Sequence, residues 1–164
     1  VKFIAAKVIE QKGDRVYTFT RDEILMHRRL GHLVIAISGS PYELVSEMAA
    51  KYAFDDFRGT VYKTDEKGCY TGEIIPMWDS RSKQKAIQQL CSEYNLDLNE
   101  CYAYGDTTGD FTMFQHVGHP YAINPTRELL NRIMNDSEVK AKIQVIVERK
   151  DVVYEMDIHN MKLR

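Results

Sequence analysis

Three groups of residues in this sequence have the types and spacing that chemistry requires. The first is Ser38-Gly39-Ser40, directly after the apolar run Leu33–Ile37 and directly before a helix start at Pro41. Small residues let a ligand approach the backbone, and a helix N-terminus offers unpaired N–H groups and a positive dipole end. That combination suits phosphate, and Ser38 adds a hydroxyl. Taken alone, a tight turn with Ser40 as helix cap is the simpler account. The second group is Gly105-Asp106-Thr107-Thr108-Gly109-Asp110, after the short apolar stretch 101–104. Asp106 and Asp110 are spaced to converge on one hard cation, and magnesium takes one or two carboxylates plus water and phosphate oxygens. A helix cap with a solvated first-turn carboxylate explains the same residues equally well. The third is Lys83, in the first turn of a helix starting near Ser82, where a cation is electrostatically misplaced and a bound anion would relieve it. An ordinary solvated lysine, like Arg81 and Lys85 beside it, is the plain alternative. Together the three supply what phosphoryl transfer needs, namely positioning and charge stabilisation.

The elements that must position these groups alternate between apolar runs and helical periods, which argues for an α/β fold with a mainly parallel sheet. A helix is expected over 1–12, with Val1, Ile4, Ala5, Val8 and Ile9 on one face and Gly13 ending it. A capping box at Thr20-Arg21-Asp22-Glu23 opens a second, and Ser40-Pro41-Tyr42-Glu43 opens a third. Leu33–Ile37 reads as a strand buried on both faces. Residues 60–62 and 70–71 read as a hairpin around Asp65-Glu66-Lys67-Gly68, with Tyr70, Met77 and Trp78 packed under the following loop. A helix over 82–94, strands at 101–104 and 121–123, a helix capped by Asn124-Pro125, and a strand at 143–147 complete the series. In an open α/β sheet, ligands sit beyond the carboxyl ends of the strands, where Ser38 and Asp106 both fall.

Composition narrows the partners. The chain has 164 residues, 44% hydrophobic and 28% charged, enough for one domain with a real core. Lys and Arg number 22 against 24 Asp and Glu, a formal net charge of −2, so a basic nucleic-acid footprint is absent. The longest clean apolar run is too short to cross a bilayer, and no signal peptide is visible. Cys69, Cys91 and Cys101 lack CxxC spacing, which favours neither a disulfide framework nor a zinc site and suits a reducing, cytoplasmic setting. The five histidines lack metal-ligand spacing with carboxylate support and receive no role.

Three ordered motifs resemble the haloacid dehalogenase superfamily, in the branch that contains phosphoserine phosphatases. Leu33-Val34-Ile35-Ala36-Ile37-Ser38-Gly39-Ser40-Pro41 is similar to that family's second motif, Lys83 with its helix to the third, and Gly105-Asp106-Thr107-Thr108-Gly109-Asp110 to the fourth, GDxxxD. The segment from His116 to Pro125 continues the pattern, and the similarity covers most of residues 20–150. The resemblance implies a three-layer, doubly wound Rossmann-like sheet, with 1–19 as remnant of a helical cap, 20–150 as core domain and 151–164 as C-terminal tail. It implies a Mg²⁺-dependent phosphomonoester hydrolase acting through an aspartyl-phosphate on a small phosphorylated metabolite, phosphoserine first. Ser38 and Lys83 would act in catalysis, Ser38, Gly39 and Lys83 would hold phosphate, and Asp106 and Asp110 would serve the metal, Asp110 through water. Gly109 departs from the pattern, standing where relatives often carry Ser or Asn.

The family's first motif, DxDxT, is missing, because no DxD occurs in the sequence. The chain is therefore expected to be a fragment, inactive alone, whose nucleophile strand lies upstream of Val1. In the family that strand lies between those ending at Ile37 and Tyr104, and the slot is expected to be filled in a well-ordered structure. A receiver-like phospho-acceptor domain is one alternative, although its lysine should end a strand. A non-catalytic phosphate-binding protein is another.

Overall fold

The computed structural model describes residues 2–163, and its contacts divide the chain into two compact units, 1–78 and 79–164.

The first unit runs α1 (Lys2–Lys12), α2 (Thr18–Arg29), β1 (Ile35–Pro41), α3 (Tyr42–Tyr52), β2 (Asp56–Thr64) and β3 (Tyr70–Ile75). Its sheet has the order β1-β2-β3, with β1 and β2 parallel and β2 and β3 forming the expected antiparallel hairpin. The hairpin turns where Asp65 Oδ1 accepts the Lys67 and Cys69 amides and Gly68 takes a φ of +78°. That positive φ is what a glycine supplies without strain. Helix α1 matches the expected span apart from Val1, which lies outside the described residues. Its expected apolar face is not buried: Ala5 is covered, but Ile4 is 65% and Val8 41% exposed. Helix α2 starts ahead of the expected capping box, with Tyr17 as its N-cap and Thr20 Oγ1 donating to the Tyr17 carbonyl instead.

β1 also departs from expectation. Ser40 caps nothing: the N-cap of α3 is Pro41, with no side-chain hydrogen bond. The strand runs on through Ser38-Gly39-Ser40 because its ladder with β2 resumes at Pro41, opposite Thr60. Nor is β1 buried on both faces; every residue in it is half-buried, with β2 as its only ladder among the described residues. Trp78 and Tyr70 are also not packed away, being 50% and 56% exposed.

The second unit runs α4 (Ser80–Tyr94), β4 (Tyr102–Gly105), α5 (Phe111–His116), β5 (His119–Ile123), α6 (Arg127–Met134), α7 (Ser137–Lys142), β6 (Gln144–Arg149) and β7 (Val152–Met156). Its sheet has the order β4-β5-β6-β7, parallel through β6 and closed by an antiparallel hairpin. Ala86, Ile87 and Leu90 of α4, Phe114 of α5, Leu129 and Ile133 of α6, and Ala122 and Val145 of the sheet are buried and form its core. Asp79, Thr126 and Asp136 cap α4, α6 and α7, each accepting backbone amides of the first turn. A cap of this kind contributes about 0.5–2 kcal/mol. Thr126 thus takes the role expected of Asn124-Pro125, and residues 152–156 of the expected tail form a strand.

The α/β class is as expected, with parallel strands flanked by helices. Among the described residues, β1 has a ladder with β2 alone and β4 with β5 alone.

Candidate active site

Gly105 ends β4 with its Cα against Asp110. A Cβ built there would lie 2.5 Å from Asp110 Cβ and 2.6 Å from its Cγ, so only glycine lets the strand end and the acid meet. Between them the chain makes a tight turn, Thr108–Asp110, before α5 begins. The Oδ2 atom of Asp110 accepts the Asp106 and Thr107 amides, each at 3.1 Å, and the Thr107 hydroxyl at 3.2 Å. The Asp110 amide donates back to the Thr107 carbonyl at 2.9 Å, and the Thr107 and Asp110 side chains each accept the other's backbone amide as a capping box. Asp106 is held from the other side, its carbonyl accepting the Thr126 amide at 2.9 Å. The turn is therefore fixed by donors before any ligand arrives.

The Oδ1 atom of Asp110 accepts from Lys83 Nζ in an ion pair that is almost dry, with the side chains 8% and 5% exposed. Lys83 is the fourth residue of α4 and is buried, as a solvated lysine would not be. The anion that its position calls for is Asp110, 27 residues away. Lys83, Asp106 and Asp110 thus come together.

The Asp106 carboxyl is electrostatically perturbed. Burial raises its carboxyl pKa above the ordinary range, and the Asp110 charge raises it further, while its backbone amide and Lys83 pull the other way. Such a carboxylate gains from a nearby cation. Both oxygens of Asp110 are already occupied, so Asp106 is the residue with a direct coordination role to offer. No group of three or more His, Cys, Asp or Glu gathers for a metal among the described residues. Magnesium does not need one, since water and phosphate oxygens complete its octahedron. The residues fit Mg²⁺ with Asp106 as ligand and Asp110 behind it.

Ser38 and Gly39 belong to the other unit. The β1–β2 register shifts between Ile37 and Pro41, so Ser38-Gly39-Ser40 bulges from the ladder, a feature that re-aims backbone groups near binding sites. Ser38 Oγ accepts the Ser40 amide at 3.2 Å. Thr60, fully buried, donates its hydroxyl to the Gly39 carbonyl at 2.8 Å and accepts the Met77 amide at 3.2 Å. Gly39 has to be glycine here, because a Cβ would lie 2.9 Å from Trp78 Cβ. The bulge is therefore locked from behind by a threonine that sequence reasoning did not single out.

Asn124 was also missed. Its backbone has a φ of +44°, its amide donates to the Ile146 carbonyl, and its Oδ1 accepts the Glu148 amide at 2.9 Å. Its Nδ2 is a buried donor without a partner among the described residues. The Asn-Pro pair after a strand was the available signal, read only as a cap.

A model of the haloacid dehalogenase-like hydrolases matches residues 3–115, a span that holds the Ser38 bulge, Lys83 and the acidic turn. The chain belongs to this family. It is 32% identical over 130 residues to an inhibition of morphological differentiation protein of Streptomyces azureus, covering 79% of this chain and 47% of that protein. It is 32% identical over 118 residues to a phosphoserine phosphatase of Mycobacterium tuberculosis, covering 71% of this chain and 38% of that enzyme. The chain spans less than half the length of both relatives. Among solved structures, a protein of unknown function from Bordetella pertussis Tohama I superposes with a TM-score of 0.69 at 18% identity, covering 85% of this chain and 63% of that one. A substrate-bound phosphoserine phosphatase superposes with a TM-score of 0.59 at 19% identity, covering 68% and 53%. These likenesses show the haloacid dehalogenase fold.

Proposed function

We propose that this chain is part of a Mg²⁺-dependent phosphomonoester hydrolase of the phosphoserine-phosphatase type, and that a segment outside the sequence supplies its nucleophile. The observation that carries the reading is the dry Lys83–Asp110 pair on a donor-filled turn beside Asp106, whose side chain is open to solvent and whose pKa partial desolvation and the Asp110 charge raise. Lys83 brings positive charge to the reacting phosphoryl group and orients Asp110. Asp106 ligates Mg²⁺, and Asp110 acts on the metal from behind it. The Ser38 hydroxyl and the backbone at Gly39 donate to phosphate oxygens. Magnesium, when bound, neutralises the charge of the transferring group.

Covalent transfer requires a carboxylate oxygen to attack phosphorus while the ester oxygen leaves with a proton, after which water cleaves the aspartyl-phosphate. Neither Asp106, as metal ligand, nor Asp110, with both oxygens hydrogen-bonded, is available for that attack. The absence of DxD from the sequence supports an external source. Lys83 stands inside α4 and not at a strand end, which disfavours the receiver-domain alternative. Phosphoserine is the first substrate to try, on the strength of the Mycobacterium tuberculosis relative. Among the described residues no helix is long and apolar enough to cross a membrane, and all three cysteines are free thiols, which fits a cytoplasmic setting.

The test is phosphate release from phosphoserine and from p-nitrophenyl phosphate with Mg²⁺. The full-length protein should turn over, Asp106→Asn should lose at least about 100-fold in kcat/KM, and the isolated 164-residue chain should do nothing. Wild-type activity in Asp106→Asn would overturn the metal assignment. Robust turnover by the isolated chain would overturn the external nucleophile.

A further inference from the structure

We propose that Ser80 and Thr112 are positioning residues that set the register between α4 and the acidic turn, so that the Lys83 ammonium meets Asp110. The inference deepens the phosphatase reading and rests on it for its kinetic consequence only. Two hydrogen bonds run in opposite directions between the first residue of α4 and the segment around Asp110. Ser80 Oγ donates to the Thr108 carbonyl at 3.3 Å, and Thr112 Oγ1 donates to the Ser80 carbonyl at 3.3 Å. Thr108 and Thr112 lie symmetrically, two residues before and two after Asp110. Lys83 lies three residues after Ser80, about one helical turn along α4. The N-cap of α4 is satisfied separately, by Asp79 Oδ1 accepting the Ser82 amide at 2.9 Å. The two hydroxyl bonds are therefore not needed to begin the helix. They tie it to the turn.

Such ties matter here because lysine is a poor self-positioner. Its ammonium is a point charge on a flexible four-carbon stem, with no planar fork to fix its approach. A buried ion pair repays desolvation only in good geometry. With the helix start pinned on both sides of Asp110, the lysine stem has one short path to Oδ1. Without the pins, α4 can slide relative to the turn while its apolar face, Ala86, Ile87 and Leu90, stays packed.

The experiment reads the Lys83 ammonium directly by ¹⁵N NMR of lysine side chains in the 164-residue chain. A buried, hydrogen-bonded ammonium exchanges slowly enough to give a cross-peak, which Lys83→Arg should remove and so assign. Thr112→Val and Ser80→Ala should each shift or broaden that peak while the far-UV circular dichroism stays as in wild type, and Thr112→Ser should restore it. In the full-length protein, Thr112→Val should lower kcat about 10- to 100-fold with KM little changed, again restored by Thr112→Ser. An unmoved Lys83 peak in both hydroxyl-deleted variants would overturn the proposal. Loss of the fold in both would also overturn it, by assigning the hydroxyls to stability. If the peak responds as stated but the full-length wild type hydrolyses no phosphomonoester, the phosphatase reading fails and the positioning role stands.

Discussion

The Lys83–Asp110 pair carries the most quantitative expectation. Both side chains are nearly inaccessible, 8% and 5% exposed, so deleting one charge strands the other in a poorly solvated place. Removing one partner of a buried pair costs about 3–5 kcal/mol. The two single variants should differ within that range. In Lys83→Met, the Asp110 carboxylate keeps the three donors on Oδ2, which softens the loss toward about 3 kcal/mol. In Asp110→Asn, one amide oxygen can still accept from that turn, but its NH₂ then faces the ammonium, donor against donor, and the loss should approach about 5 kcal/mol. The double variant strands no charge, so its loss should fall short of the sum by at least about 2 kcal/mol. With a urea dependence of about 1–3 kcal/mol per molar, each single variant should move the unfolding midpoint by roughly 1–3 M or more. The assay is urea unfolding of the four proteins of the cycle. It should be followed by the backbone amide signals of β5 and β6, which report the second unit by itself. A coupling below about 0.5 kcal/mol, or single variants that each lose under about 1 kcal/mol, would refute the reasoning that the pair is desolvated and mutually dependent.

Two further outcomes follow from local geometry. Gly105→Ala should displace Asp110, since the new methyl would strike its Cβ and Cγ, and should destabilise the second unit by about 1–3 kcal/mol in thermal melts; an unchanged melting temperature would show that the turn yields freely. His27 is buried and shares a 2.9 Å Nδ1–Nδ1 hydrogen bond with His32; burial first, then the His32 charge, lowers its pKa from the ordinary 6.5, with Glu23 partly opposing. The unfolded chain therefore takes the proton first. Stability is full above pH 6.5 and is lost as the pH falls from there through the depressed folded value. Melts of the wild type should fall across that window and flatten in His27→Gln, and parallel pH profiles for the two proteins would contradict the assignment.

Much of this protein is determined locally, in the order of its residues. Apolar runs followed by helical periods placed most of the strands and helices, because periodicity is a property of neighbours along the chain. The acidic turn was equally legible. The glycines permit a sharp loop, Asp106 and Asp110 stand four positions apart, and Lys83 falls in a helical first turn, each a feature of a few neighbouring residues. What tertiary structure decided is which partner satisfies each group. The anion that Lys83 needs is Asp110, which the sequence leaves open between a ligand, water and an acid far along the chain. Ser40 has every local mark of a helix cap, yet the β1–β2 ladder resumes one residue later at Pro41, so the strand carries on past Ser40 and Pro41 becomes the N-cap of α3. Thr60 is an ordinary strand threonine in sequence and becomes the lock behind Gly39 only when β2 lies beside β1. The residues at 152–156 look like a tail until β6 offers them an edge. Short-range spacing fixes what a segment is able to form, whereas burial and pairing between distant segments select among those forms, and neither is written in the order of neighbours.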